Sequence, residues 1–179
     1  MKALALLALV IAMAGTAHAD TTGIRFNRMP VGCRIHGTYA SGERVIDEYA
    51  GMSGSKHVVK TYGGAKGKTF FRTTLYSAKG LMLRKDWANG KWESYAPASG
   101  FDVPGNCTYT YRNADGAKKT YKGKTRKTGN RLVSTGGFVG EAPFQPTTST
   151  LGRFNNGAAF AEGDTSFRVT KYENCGIDS

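Results

Sequence analysis

Apolar and polar residues alternate along this chain with a period of two. In Thr108-Tyr109-Thr110-Tyr111 both aromatics fall on one face and both threonines on the other, the signature of a half-buried strand. Ser166 to Tyr172 sets Phe167, Val169 and Lys171 against Arg168, Thr170 and Tyr172, so the apolar face ends before the strand does. Alternation in Lys91 to Tyr95 fails after Trp92, which predicts a bulge or a strand end. From residue 30 onward the spacing predicts strands over Gly32–Tyr39, Arg44–Tyr49, Lys56–Tyr62, Thr69–Ser77, Leu81–Trp87, Lys91–Tyr95, Cys107–Asn113, Lys118–Lys124, Arg131–Ser134 and Ser166–Glu173. Between them, Asn89-Gly90 and Asp115-Gly116 supply the pairs that tolerate positive φ in tight hairpins.

No segment after the leader carries a helical apolar stripe, apart from room for one short helix near Ala158–Glu162. The expected fold is all-β, an antiparallel meander of roughly ten strands closing into a barrel or folding as two packed sheets. Closure would remove the exposed edges that such a meander otherwise leaves. Gly136 to Gly163 interrupts the rhythm with Pro143, Pro146 and Thr147–Thr150. Irregular strands whose phenylalanines (Phe138, Phe144, Phe154, Phe160) complete the core are the preferred reading there, ahead of a lid over a cavity.

The first nineteen residues read differently. Lys2, the apolar run Ala3–Ala14 and Ala17-His18-Ala19 have the charge, length and small-x-small ending of a secretory signal peptide. This divides the chain into a leader, 1–19, and a single all-β domain, 20–179, placed in the periplasm or outside the cell. In that oxidising setting Cys33, Cys107 and Cys175 pose a disulfide problem. Cys33 with Cys175 is the preferred pair, because the first and last strands of a closed meander become neighbours; Cys107 is then the free thiol.

The chain holds 25 Lys+Arg against 13 Asp+Glu, a formal charge of +12. Arg112, Lys118, Lys119, Lys122, Lys124, Arg126, Lys127 and Arg131 crowd into twenty residues opposed only by Asp115. Export makes nucleic acid an improbable partner and points instead to anionic envelope components: lipid, lipopolysaccharide or acidic polysaccharide. A solvated basic hairpin is the plain alternative. Trp87, Trp92 and Tyr95 form a second candidate ligand contact: a tight hairpin could bring both indoles to one side, as cross-strand packing or as a platform for an amphipathic molecule. The stretch Trp87–Gly116 is similar to a hairpin pattern of small secreted β-proteins, over about thirty residues, and that likeness implies no activity.

Catalytic and metal chemistry finds little support. With His18 in the leader only His36 and His57 remain, and no H-x-x-H or C-x-x-C spacing occurs, so neither a metal nor another cofactor is expected. Gly67-Lys68-Thr69 and Gly123-Lys124-Thr125 lack the upstream glycine of a phosphate loop, with Tyr62 and Lys118 at those positions. The function these features favour is non-enzymatic binding of an amphipathic or anionic ligand. An envelope hydrolase acting through convergent carboxylates, and a protein inhibitor or assembly factor, are the alternatives.

Overall fold

The computed structural model describes residues 23–64, 66–99, 103–162 and 165–176; the leader lies outside them. Twelve antiparallel strands follow a 3-10 turn at Phe26–Arg28: β1 (Arg34–Tyr39), β2 (Arg44–Ser53), β3 (Lys56–Gly63), β4 (Thr69–Tyr76), β5 (Met82–Trp87), β6 (Trp92–Ser99), β7 (Gly105–Asn113), β8 (Lys118–Thr128), β9 (Arg131–Phe138), β10 (Thr147–Leu151), β11 (Gly157–Glu162) and β12 (Thr165–Glu173). Each pairs with its sequence neighbours, and β1 pairs with β12, closing a barrel. The all-β antiparallel meander is as the sequence predicts, and of the two arrangements left open, barrel or packed sheets, the chain forms the barrel; the two additional strands are β10 and β11.

Three local expectations need correction. Ala158–Glu162 is strand β11, paired with β10 and β12, and not a helix. The strand predicted over Lys91–Tyr95 runs Trp92–Ser99, and its register break against β5 falls between Ser94 and Ser99, not at Trp92. The apolar face of β12 does not stop at Val169. A register shift opposite His36/Gly37 lets Thr170 bulge, so Tyr172 returns to the inner face and meets Phe154 at 5.9 Å.

A twelve-strand barrel is wider than the eight-strand barrels whose interiors side chains just fill. Here two clusters occupy the lumen. Tyr95, Tyr109 and Tyr121 pack with Phe138 and Tyr111 on the β6–β9 side, with Tyr109 and Tyr121 stacked at 4.8 Å. On the opposite side Tyr49, Val59, Phe154 and the two disulfide cysteines gather around Phe26 and Met29. Those last two residues belong to no strand. The segment before β1 crosses one end of the barrel, bonded to the β4–β5 turn (Gly23 N to Lys79 O, 2.9 Å; Ile24 N to Gly80 O, 3.1 Å) and to the β10–β11 loop (Arg25 N to Phe154 O, 2.8 Å). Phe26 thereby enters the lumen as a plug, stacked on His57 at 4.5 Å and leaning on Tyr49 and Tyr76. Gly80 has φ +72°, and a β-carbon there would collide with the Ile24 backbone, so the fastening requires glycine.

The predicted pair is present: Cys33 and Cys175, 142 residues apart, join the start of β1 to the end of β12. A loop of that length restrains the unfolded chain by about 5 kcal/mol in the chain-entropy model. We expect Cys33→Ser/Cys175→Ser to lose about 2–5 kcal/mol in denaturant titrations, whereas Cys107→Ser, removing the free half-buried thiol, leaves most of that stability intact.

His57 reports on the plug. Its Nδ1 and the Tyr49 hydroxyl share a 2.8 Å hydrogen bond beneath Phe26, and burial holds the imidazole below its ordinary 6.5. The unfolded chain therefore binds a proton there that the folded chain resists. This contribution is complete above pH 6.5 and declines as pH falls toward the lower folded value. Denaturation midpoints measured between pH 8 and 5 should drop for the wild type and flatten for His57→Gln.

Candidate functional site

Alternation along β8 divides the basic strip between the two faces of the wall. Tyr121 and Thr125 are buried inside, at 3% and 4% exposure, so Lys118, Lys122, Lys124 and Arg126 project outward. Arg112 stands directly opposite Lys118, and Arg131, opposite Thr128 and Thr150, lies on the same outer face. Successive outward positions along a strand are about 6.7 Å apart. Around these cations lie mostly small polar residues, Asn106, Thr108 and Thr110 on β7, Thr120 on β8 and Thr135 on β9, with Val133 opposite Arg126 as an apolar member. Among the described residues none of these six cations pairs with a carboxylate.

The remaining two members of the strip point the other way. Lys119, opposite Tyr111, reaches the rim, where Nζ meets Glu141 Oε1 at 2.7 Å and lies 5.2 Å from the Phe138 ring centre. Lys127, opposite the buried Leu132, is exposed at the plugged end.

The two tryptophans do not form one platform. Trp87 shares the inner face with Arg72 and Lys85, and Lys85 Nζ lies 5.9 Å from its ring centre. Trp92 pairs with Asp86 on the outer face, under the Arg84 guanidinium at 4.6 Å. The Asn89-Gly90 turn puts Trp87 opposite Lys91, leaving the indoles diagonal and on opposite sides of the sheet. Tyr95 is an inner residue, 7% exposed.

A row of luminal charges, which gave no recognisable spacing in the sequence, crosses β2 to β6. Thr61 Oγ1 donates to Asp47 Oδ1 at 2.7 Å and accepts from Arg72 Nε at 3.3 Å. Further along, Lys85 Nζ meets Glu93 Oε1 at 2.7 Å, and the Tyr95 hydroxyl donates to the same carboxylate oxygen. Burial pushes the Asp47 carboxyl up, against the opposing pull of Thr61 and Arg72. Burial likewise pushes the Lys85 ammonium down, against Glu93, and the Tyr95 phenol up. Glu93 thus meets a cation and a hydroxyl, whereas Asp47 is held by the Thr61 hydroxyl, with the Arg72 guanidinium bonded to that hydroxyl. A cavity of about 140 Å³ touches Asp47 and is roofed by Ile24, Phe26 and Met29. It is smaller than the 300 Å³ or so at which ligand pockets begin, and Glu93 is not among its lining residues.

Burial raises the Cys107 thiol, so it lacks the thiolate character of a nucleophile. Among the described residues no three His, Cys, Asp or Glu side chains gather as a metal site would need. No described helix is long and apolar enough to cross a membrane. The strand exterior carries charge where a lipid-facing barrel carries an apolar band: Arg34–Glu48 and Arg84–Asp86 ion pairs lie on it in addition to the basic face. Comparison with protein-family models, curated proteins and solved structures finds no match to this chain.

The luminal pair makes its own prediction. Lys85→Met leaves Glu93 partly buried without its cation and should cost about 1.5–3 kcal/mol in chemical denaturation. Lys85→Met/Glu93→Gln should recover part of that loss, because it removes the unpaired charge.

Proposed function

We propose that the protein is a non-enzymatic binder of polyanions, which it engages through the outer face of β7–β9. The observation that supports this reading most directly is the unpaired outer set Arg112, Lys118, Lys122, Lys124, Arg126 and Arg131. Like charges directly opposite each other on a sheet are destabilising, and Arg112 opposite Lys118 is such a pair. A surface that carries this cost without internal counter-charges is relieved when an external anion supplies them. Spread along three neighbouring strands of the outer wall, these cations suit an extended polyanion, a phosphate-bearing lipid surface or acidic polysaccharide, more than a compact molecule. Inside the barrel the two aromatic clusters and the plug border a cavity of only about 140 Å³ beside Asp47, which weighs against an amphipathic ligand held there. Asp47 and Glu93 are each held by their own partners, Thr61 and Lys85, and are not bonded to each other or to shared groups, which weighs against hydrolysis by convergent carboxylates. With the leader read from the sequence, the setting of this binding is the cell envelope or the exterior.

Each Lys or Arg near an anionic surface contributes about 1 kcal/mol. Reversing two of them, Lys122→Glu/Arg126→Glu, should weaken association with phosphatidylglycerol-containing vesicles by at least about thirtyfold, with neutral vesicles unbound throughout. Wild-type association should also fall steeply between 50 and about 300 mM salt. Salt-insensitive binding that survives both reversals would sink the proposal.

A further inference from the structure

A second concentration of positive charge lies away from β8, at the plugged end, and it is concave. A cleft of about 370 Å³ is lined by Ile24, Arg25, Phe26, Asn27, Arg28, His57, Ala78 and Lys79. No carboxylate lines it, and among the described residues Arg25, Arg28 and Lys79 form no ion pair. The same backbone bonds that fasten the plug hold these cations together: Gly23 N to Lys79 O, Ile24 N to Gly80 O and Arg25 N to Phe154 O. Glycines at 23 and 80 allow the two segments to touch, since a β-carbon at either would strike the facing backbone. The arrangement is therefore built before any ligand arrives, which lowers the ordering cost of binding.

We propose that this cleft binds a compact phosphoryl group, a phosphate monoester or diphosphate, with Arg25, Arg28 and Lys79 as its counter-charges. Arginine's planar fork matches two phosphate oxygens at once, and lysine adds a point charge from the opposite lip. Asn27, exposed on the same 3-10 turn, adds an amide donor. His57 closes the inner wall: Nδ1 is engaged by the Tyr49 hydroxyl, which leaves Nε2 as the nitrogen able to face the cleft. The volume lies at the lower end of the range for small-molecule pockets, enough for a diphosphate or a phosphate with a short organic group. This site is independent of the polyanion face, and either can fail without the other. The phosphoryl group could belong to a soluble metabolite or to a lipid headgroup, and the chemistry is shared.

The test is a titration of the ¹³C/¹⁵N-labelled protein with inorganic pyrophosphate at constant ionic strength. The expected result is one saturable site that shifts the His57 ring and the Arg25 and Arg28 signals and raises the His57 pKa. Lys79→Glu, at an exposed turn position, should weaken binding at least about tenfold, and Arg28→Glu similarly. Lys122→Glu/Arg126→Glu should leave it within about twofold. Shifts that never saturate, that track Lys122 equally, or that persist in Lys79→Glu and Arg28→Glu would overturn the site. Thermal denaturation of each variant, compared with wild type, separates lost binding from lost folding; if Arg28→Glu unfolds, Lys79→Glu alone decides. Vesicles containing phosphatidic acid, offered to the Lys122→Glu/Arg126→Glu protein so that the β7–β9 face does not hold them, form the second arm, with Lys79→Glu added in the same background. Displacement by pyrophosphate and loss in Lys79→Glu assign the group to a lipid headgroup, whereas pyrophosphate binding without such displacement assigns it to a soluble phosphate.

Discussion

The need to fill a lumen that twelve strands make too wide for ordinary side chains shapes the rest of this structure. Tyrosine and phenylalanine, the bulkiest residues available in number, line the inner face, yet the strands alone do not finish the task. The segment ahead of β1 supplies the remainder by inserting Phe26 and Met29. Its position depends on glycine contacts at 23 and 80 and on the covalent closure of β1 to β12 by Cys33–Cys175. The core, the disulfide and the plugged end are consequently one structural unit. Weakening any of them exposes the same aromatic surface, which costs about 25 cal/mol for each Å² of apolar area returned to water.

Polar side chains complete the interior where aromatics do not. Asp47, Thr61, Arg72, Lys85, Glu93 and Tyr95 span the inner wall from β2 to β6 as a set of mutually satisfied groups. Buried ion pairs of this kind seldom add net stability over apolar packing, but removing one member is costly. They act more as constraints on register than as adhesive: a one-residue slip of β5 would carry Lys85 outside and leave Glu93 in the lumen without it.

The positive charge divides along the same walls. On β8 the alternation that buries Tyr121 and Thr125 directs Lys118, Lys122, Lys124 and Arg126 to solvent, so a run that looks continuous in one dimension becomes an outer face with Lys119 and Lys127 removed. At the plugged end the opposite happens: Arg25 and Arg28 are joined by Lys79, more than fifty positions away, through backbone bonds between a non-strand segment and a turn. The wall spreads its charge along neighbouring strands, and the plug gathers its charge around a cleft.

Much of this was legible from local chemistry, because period-two patterning, Asn-Gly and Asp-Gly turns and aromatic-threonine alternation are properties of a few neighbouring residues. Strands β1 to β9 and β12, the antiparallel meander and the aromatic face of β7 all follow from such signals, as does the disulfide once closure is assumed. Strands β10 and β11 carry less signal, since Thr147–Leu151 and Gly157–Glu162 each hold one large apolar residue, Leu151 and Phe160, among small or polar ones, and are recruited by pairing with neighbours that are strands already. Facing and convergence were decided only by tertiary structure. A bulge at Thr170 turned Tyr172 inward, the register of the β5–β6 hairpin separated Trp87 from Trp92, and the registers of β2–β3 and β3–β4 brought Asp47 into line with Thr61 and Arg72. The sequence by itself determined that this chain forms strands, where they turn and that it is strongly basic, because those depend on neighbours in the chain. Which charges meet, which stay unpaired and what fills the lumen depend on a one-residue choice of register multiplied around a closed ring, and only the folded barrel makes that choice.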